Sequence, residues 1–133
     1  MSISKEILLS YVDEIGNNRD FWNGNYGQGR NAKKVKAVIG STNIRGLAVM
    51  ALNTDCYREF RLFIEYKTSK GNGWDAIYKD KEKYKNGKKF GEVIIDYLDK
   101  IYEDCNKNDK EALKQISKFF GFLYWKKRII GDK

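Results

Sequence analysis

Asp55, Glu65 and Lys67 are the residues of this chain whose types and spacing come closest to catalytic chemistry. Two carboxylates can share a divalent cation, and a nearby lysine can assist the water that the ion activates, an arrangement suited to phosphodiester hydrolysis. The second chemical signal is charge. Basic side chains gather in three groups: Arg30, Lys33, Lys34 and Lys36; then Arg45, Arg58, Arg61, Lys67 and Lys70; then Lys126, Lys127 and Arg128. A distribution so spread out suits a surface that follows a phosphate backbone better than a single pocket. The residues expected to contact nucleic acid are Lys33, Lys34, Arg45, Arg61, Lys67, Lys126, Lys127 and Arg128.

Other chemistry is excluded by what the chain lacks. It has no histidine, and Cys56 and Cys105 stand far apart, so neither a histidine-dependent triad nor an ordinary zinc site can be assembled. There is no Walker A sequence. Gly27-Gln28-Gly29-Arg30-Asn31-Ala32 fits a dinucleotide-binding fingerprint in form, but nothing before it reads as a strand, and a loop is the better reading. No cofactor and no metal is expected. The 133 residues suffice for one domain with a real core, and 26 Lys and Arg against 18 Asp and Glu give a net charge of +8. Such a basic, aromatic-rich chain points to nucleic acid as partner. Two cysteines without a signal peptide fit a reducing cytoplasm, and no apolar run approaches the roughly 18 residues of a membrane span.

These residues need elements to position them. Ser4 can cap a first helix with Ile7, Leu8, Tyr11, Val12 and Ile15 on one face and Gly16 as its stop. Residues 17–31 read as a flexible loop with aromatic anchors Phe21, Trp22 and Tyr26. Ser41-Thr42-Asn43 offer capping groups for a helix carrying Ile44, Leu47, Ala48, Ala51 and Leu52. A third helix is expected over 57–69, although Phe60, Leu62, Ile64 and Tyr66 alternate as a strand would, so that 34–68 has a three-stranded meander as its alternative. Lys70-Gly71-Asn72-Gly73 breaks the pattern, and a lysine-rich, solvated loop follows near 79–89. Phe90, Val93, Ile94, Tyr97, Leu98, Ile101 and Cys105 then mark a clean amphipathic helix. Asn108 with Glu111 is a capping-box signature for the last one. The expected fold is an all-α, single-domain bundle of about five helices.

The last helix is the most unusual. Leu113, Ile116, Phe120, Leu123 and Ile130 make a stripe, while Phe119, Phe122, Tyr124 and Trp125 spread apolar surface around the cylinder. A helix packed on one side needs only a stripe. Phe119, Phe122 and Trp125 are therefore expected in an interface with another copy or a neighbouring subunit; alternatively, residues 17–31 fold back over them with Phe21 and Trp22.

Two resemblances bear on function. Arg61 to Lys70, R-L-F-I-E-Y-K-T-S-K, resembles the E-x-K strand of the PD-(D/E)XK nucleases, implying an α/β enzyme with Asp55, Glu65 and Lys67 as its metal site. The proline that usually precedes the acidic residue is missing, and Glu65 as a solvated residue on a helix flank is the preferred reading. Gly40-Ser41-Thr42-Asn43-Ile44-Arg45-Gly46-Leu47 looks like the T-T-S-Q-I-R-K-L helix start of the small subunit of type III-A CRISPR effector complexes. The stretch from Lys110-Glu111-Ala112-Leu113 to Phe122-Leu123-Tyr124-Trp125-Lys126-Lys127 is similar to that family's closing helix, and Tyr66-Lys67 falls where it has a tyrosine followed by a small residue and an arginine. The similarity spans about residues 40–133, with an insertion around Gly71, Gly73, Asn86 and Gly87. It implies a helical bundle without an active site that stacks along the complex, touches the guide–target RNA duplex through basic residues and supports the subunits that cut RNA.

Overall fold

A computed structural model describes residues 4–22, 25–26, 33–34, 39–80 and 83–131. The elements in chain order are α1 (Lys5–Gly16), α2 (Arg19–Trp22), β1 (Asn25–Tyr26), β2 (Lys33–Lys34), α3 (Ser41–Leu52), α4 (Tyr57–Lys70), β3 (Ile77–Tyr78), β4 (Lys88–Lys89), α5 (Phe90–Asp104) and α6 (Asp109–Gly131). The protein is an all-α bundle of five helices longer than one turn, with α2 as a single turn and two short antiparallel ribbons, β1 with β2 and β3 with β4. The meander alternative does not form: Tyr57, Phe60, Ile64 and Thr68 are buried at helical spacing on α4. Among the described residues, no helix is long and apolar enough to cross a membrane.

The helix ends show why the chain folds in these pieces. The Ser4 hydroxyl accepts the Ile7 N–H at 3.3 Å, and Asn108 Oδ1 accepts the Glu111 N–H at 2.9 Å, as the capping residues lead one to expect. Helix α3 differs: Gly40 is its cap and supplies no side chain, while Ser41 is buried in the first turn. Helix α4 is served from a distance, its first N–H donating to Asp109 Oδ2 of α6 at 3.3 Å. The free N–H groups that open α5 donate to the preceding loop, Phe90 to Ala76 O and Gly91 to Trp74 O, both at 2.8 Å. That clamp draws α5 onto α4 so closely that a Cβ on Gly91 would lie 1.6 Å from Thr68 Oγ1.

Two regions expected as loops carry structure. The start of 17–31 forms α2, whose Phe21 and Trp22 are buried. Phe21 stacks on Phe90 at 4.8 Å, and Trp22 Nε1 donates to Ile15 O at 2.9 Å. In the lysine-rich stretch, Gly87 takes φ 84° in an Asn-Gly turn, and Ile77 pairs with Lys89 and Tyr78 with Lys88. Tyr78 points inward, and its hydroxyl reaches the carbonyls of Glu14 and Ile15 at 3.1 Å.

Carboxylates tie these parts together. Tyr97 donates to Glu14 Oε1 at 2.7 Å and Lys83 pairs with the same oxygen at 2.9 Å. Asp96 holds Lys88 and Tyr84, and Asp99 holds Tyr57 and the forked guanidinium of Arg61. Burial, reinforced by Asp99 and Glu14 respectively, pushes the phenols of Tyr57 and Tyr97 far up, so both stay neutral donors.

Two outcomes follow from this packing. Gly91→Ala should lower stability by about 1–3 kcal/mol in urea unfolding, with partial recovery in the Gly91→Ala, Thr68→Ala double variant. Partial burial disfavours the Glu14 carboxylate, but the hydrogen bonds from Lys83 and Tyr97 outweigh it and hold its pKa below the ordinary value. Its stabilising contribution is therefore complete above the unfolded-state pKa and is lost as pH falls through the lower folded value. Glu14→Gln should be less stable than the parent at neutral pH, and thermal melts should show the gap closing as pH drops below the ordinary carboxylate range.

Candidate nucleic-acid interface

Helix α6 organises the candidate surface because it packs against α1, α2, α3, α4 and α5. Surrounded in this way, it buries Ala112, Leu113, Ile116, Phe119, Phe120 and Leu123. Phe119 is therefore not an interface residue as expected; it is fully buried, against Phe120 at 5.2 Å and Tyr97 at 6.5 Å. The apolar girdle needs no outside partner to account for most of its width. Two members of the expected interface remain near solvent. Phe122 is half-buried, and Trp125 is 63% exposed with its ring 5.9 Å from that of Phe122.

The basic residues singled out from the sequence divide sharply. Lys127 is fully buried with its ammonium 5.7 Å from the Trp22 ring, so it cannot present charge to RNA; its place on α6 falls on the face that α2 covers. Lys126 lies against α1, pairs with Asp13 at 3.2 Å, and has its stem where a Cβ on Gly16 would come within 2.7 Å. That close approach is why glycine ends α1. Arg61 is held by Asp99 at 3.0 Å and by Glu65 at 3.5 Å, a structural clamp between α4 and α5. Lys67 lies 5.5 Å from the rings of both Phe63 and Trp74, and partial burial together with the charge of Lys70 lowers its pKa. Arg45 is exposed and rests 5.8 Å from the Tyr124 ring, and Arg128 is exposed at the end of α6. Lys33 and Lys34 form β2, but their side chains, like the whole of Arg30 and Lys36, lie outside the described residues.

A row of lysines lies apart from the basic clusters that stand out in the sequence. Lys110, Lys114 and Lys118 are all exposed on α6, and among the described residues none is in an ion pair. Their four-residue spacing sets them about 6 Å apart along the axis, on the outer side of the helix. Lys114, Lys118 and Trp125 fall within an arc of roughly 40°. The i, i+4, i+8 pattern was the available signal, masked by the denser Lys-Lys-Arg cluster that follows it. Much of the acidic charge lies elsewhere: Asp13, Glu14, Asp96 and Asp99 each hold a cation on other sides of the bundle. The outer face of α6 is left with three lysines and, at its edge, Glu111, whose carboxylate accepts from Gln115 at 3.0 Å.

The E-x-K residues do not assemble in this fold. Glu65 and Lys67 share a face only in an extended strand, whereas on α4 they point roughly 200° apart. Asp55 and Glu65 are exposed, and among the described residues no group of three acidic or cysteine side chains is placed to hold a metal ion. The α/β scaffold that the nuclease alternative requires is absent from this helical architecture. No family model matches this chain, and no curated protein or solved structure matches it either.

The contrast between the buried and the exposed lysines is measurable. Lys127→Ala should lower unfolding stability by about 2 kcal/mol or more while the folded variant keeps the parent's affinity for RNA. Lys118→Ala should show the reverse, leaving stability within about 0.5 kcal/mol and weakening RNA binding.

Proposed function

We propose that this protein is a non-catalytic, RNA-binding helical subunit of a cytoplasmic ribonucleoprotein, of the kind its resemblance to the type III CRISPR small subunits implies. The observation that supports it best is the outer face of α6, where Lys110, Lys114 and Lys118 stand without carboxylate partners among the described residues, in a chain of net charge +8. Cations at one-turn intervals along a straight helix are matched to a polyanion and poorly matched to any single small ligand. In this reading guide and target RNA are held by phosphate contacts, Arg45 and Arg128 extend the surface beside Tyr124, and the exposed Val49, Leu52, Leu62 and Tyr66 of α3 and α4 face neighbouring effector subunits or another copy.

A contact made through phosphate weakens with salt and carries little base information. Affinity for unrelated RNA sequences should be similar and should fall steeply between low and physiological salt, measured by fluorescence anisotropy. Replacing Lys110, Lys114 and Lys118 together with glutamate should weaken binding to every sequence by a similar factor. The log–log salt slope should flatten by roughly 0.7–0.9 for each phosphate no longer neutralised by a lysine. RNA incubated with the protein and Mg²⁺ or Mn²⁺ should stay intact; cleavage abolished by Glu65→Ala and Lys67→Ala would instead establish a nuclease. Marked sequence discrimination by the isolated protein would count against the phosphate reading.

A further inference from the structure

Of the three tryptophans, Trp22 and Trp74 are buried at 1% and 2% exposure, whereas Trp125 is 63% exposed on the same outer face of α6 as Lys114 and Lys118. Next to it Ile129 is 77% exposed, and the Phe122 ring lies 5.9 Å from the indole, tilted by 48°. An exposed indole beside a row of cations is matched to a ligand that is both flat and anionic. A nucleotide is both. A second copy of this chain fits poorly, because the same lysine row on two copies would be brought face to face. A regular duplex can meet the lysines through its phosphates but leaves the indole unused, since its bases are already stacked and hide their faces from a side chain on a helix surface. We infer that the outer face of α6 binds single-stranded nucleic acid, with an unpaired base stacked on Trp125 and the adjoining phosphates on Lys118 and Lys114. The stack uses the π-face that every base shares, so it tolerates any sequence. Trp125 lies about 10 Å, two helical turns, from Lys118 along the axis, room for the sugar and phosphate that separate a stacked base from the next cation. This inference rests on the RNA-binding reading above and specifies the strand that this face takes.

The burial of the other two tryptophans makes Trp125 its own reporter. A uridine dodecamer titrated into the full-length protein should quench Trp125 emission with the same midpoint as the anisotropy change. A dodecamer abasic at every position should bind with little quenching, and a matched RNA duplex should bind by anisotropy without it. Trp125→Ala should weaken binding of the uridine dodecamer about tenfold and leave the duplex within twofold, while Trp125→Tyr should retain most of the single-strand affinity. Quenching by a thymidine dodecamer, the DNA counterpart titrated in the same way, would also support the stack, and the ranking of the two strands identifies the natural polymer. Binding with unchanged emission, or equal weakening of both ligands in Trp125→Ala, would overturn the stack and leave phosphate binding standing. Binding of neither strand nor duplex would remove both. A blue shift of Trp125 emission on raising protein concentration alone would show that another copy covers the face, and would overturn the inference.

Discussion

The enclosure of α6 is the constraint on which the rest of the structure depends. A helix of 23 residues reaches about 35 Å, longer than the other helices of the chain. Five helices touch it, so its buried arc is far wider than that of an ordinary surface helix. That width explains why Phe119 and Phe120 can both be buried although consecutive residues point about 100° apart. It also explains the fate of Lys127, which lies on the buried arc beside the Trp22 ring and has further partners there. Each neighbour has its own contact with α6: Gly16 of α1 admits the Lys126 stem, Ala48 O of α3 accepts the Ser117 hydroxyl at 2.7 Å, and the α4 N-terminus is capped by Asp109.

Helices were legible where one face alone was buried. The periods of α1 and α5 could be read directly, that of α4 only against the strand-like alternation of Phe60, Leu62, Ile64 and Tyr66, and the caps at Ser4 and Asn108 were visible as residue types. The last helix was legible as a helix but not in its role, because apolar residues on all sides look alike whether the cover comes from the same chain or from another. Deciding between the two needs the positions of α2 and α3, which sequence spacing does not supply. The segments with the least periodicity read as loops for a related reason, although Phe21 and Trp22 were visible there as anchors. Phe21, Trp22 and Tyr78 reach the core from a single turn and from a two-residue strand, and such short pieces carry no period.

The candidate site was legible in class but not in detail. Net charge pointed to a polyanion, but a lysine's number in the chain does not say whether its head reaches water. Lys126 and Lys127 stand in the densest basic cluster, yet one is tied to Asp13 and the other is buried. Arg61 has the residue type of a phosphate ligand, but Asp99 claims it across the α4–α5 contact, a partner far away in sequence. Lys110, Lys114 and Lys118 are exposed at regular intervals along one helix, and such spacing adds to local density as a guide to a charged surface.

That distinction bears on how a small basic domain can bind a polymer without unfolding from its own repulsion. A net charge of +8 spread evenly would weaken every part of the bundle. Here Asp13, Glu14, Asp96 and Asp99 neutralise Lys126, Lys83, Lys88 and Arg61 along the contacts between elements, where charge would oppose packing. Part of the excess stands on the outside of α6, a helix enclosed on its other sides, and part on exposed cations of other elements such as Arg58, Lys70, Lys85 and Lys89. In the proposed reading a polyanion-binding surface is well placed there, because the buried arc fixes the helix while the outer arc is free to vary in charge. The cations then stand on a rigid rod and not on loops, so little ordering is required of the protein when the polymer binds.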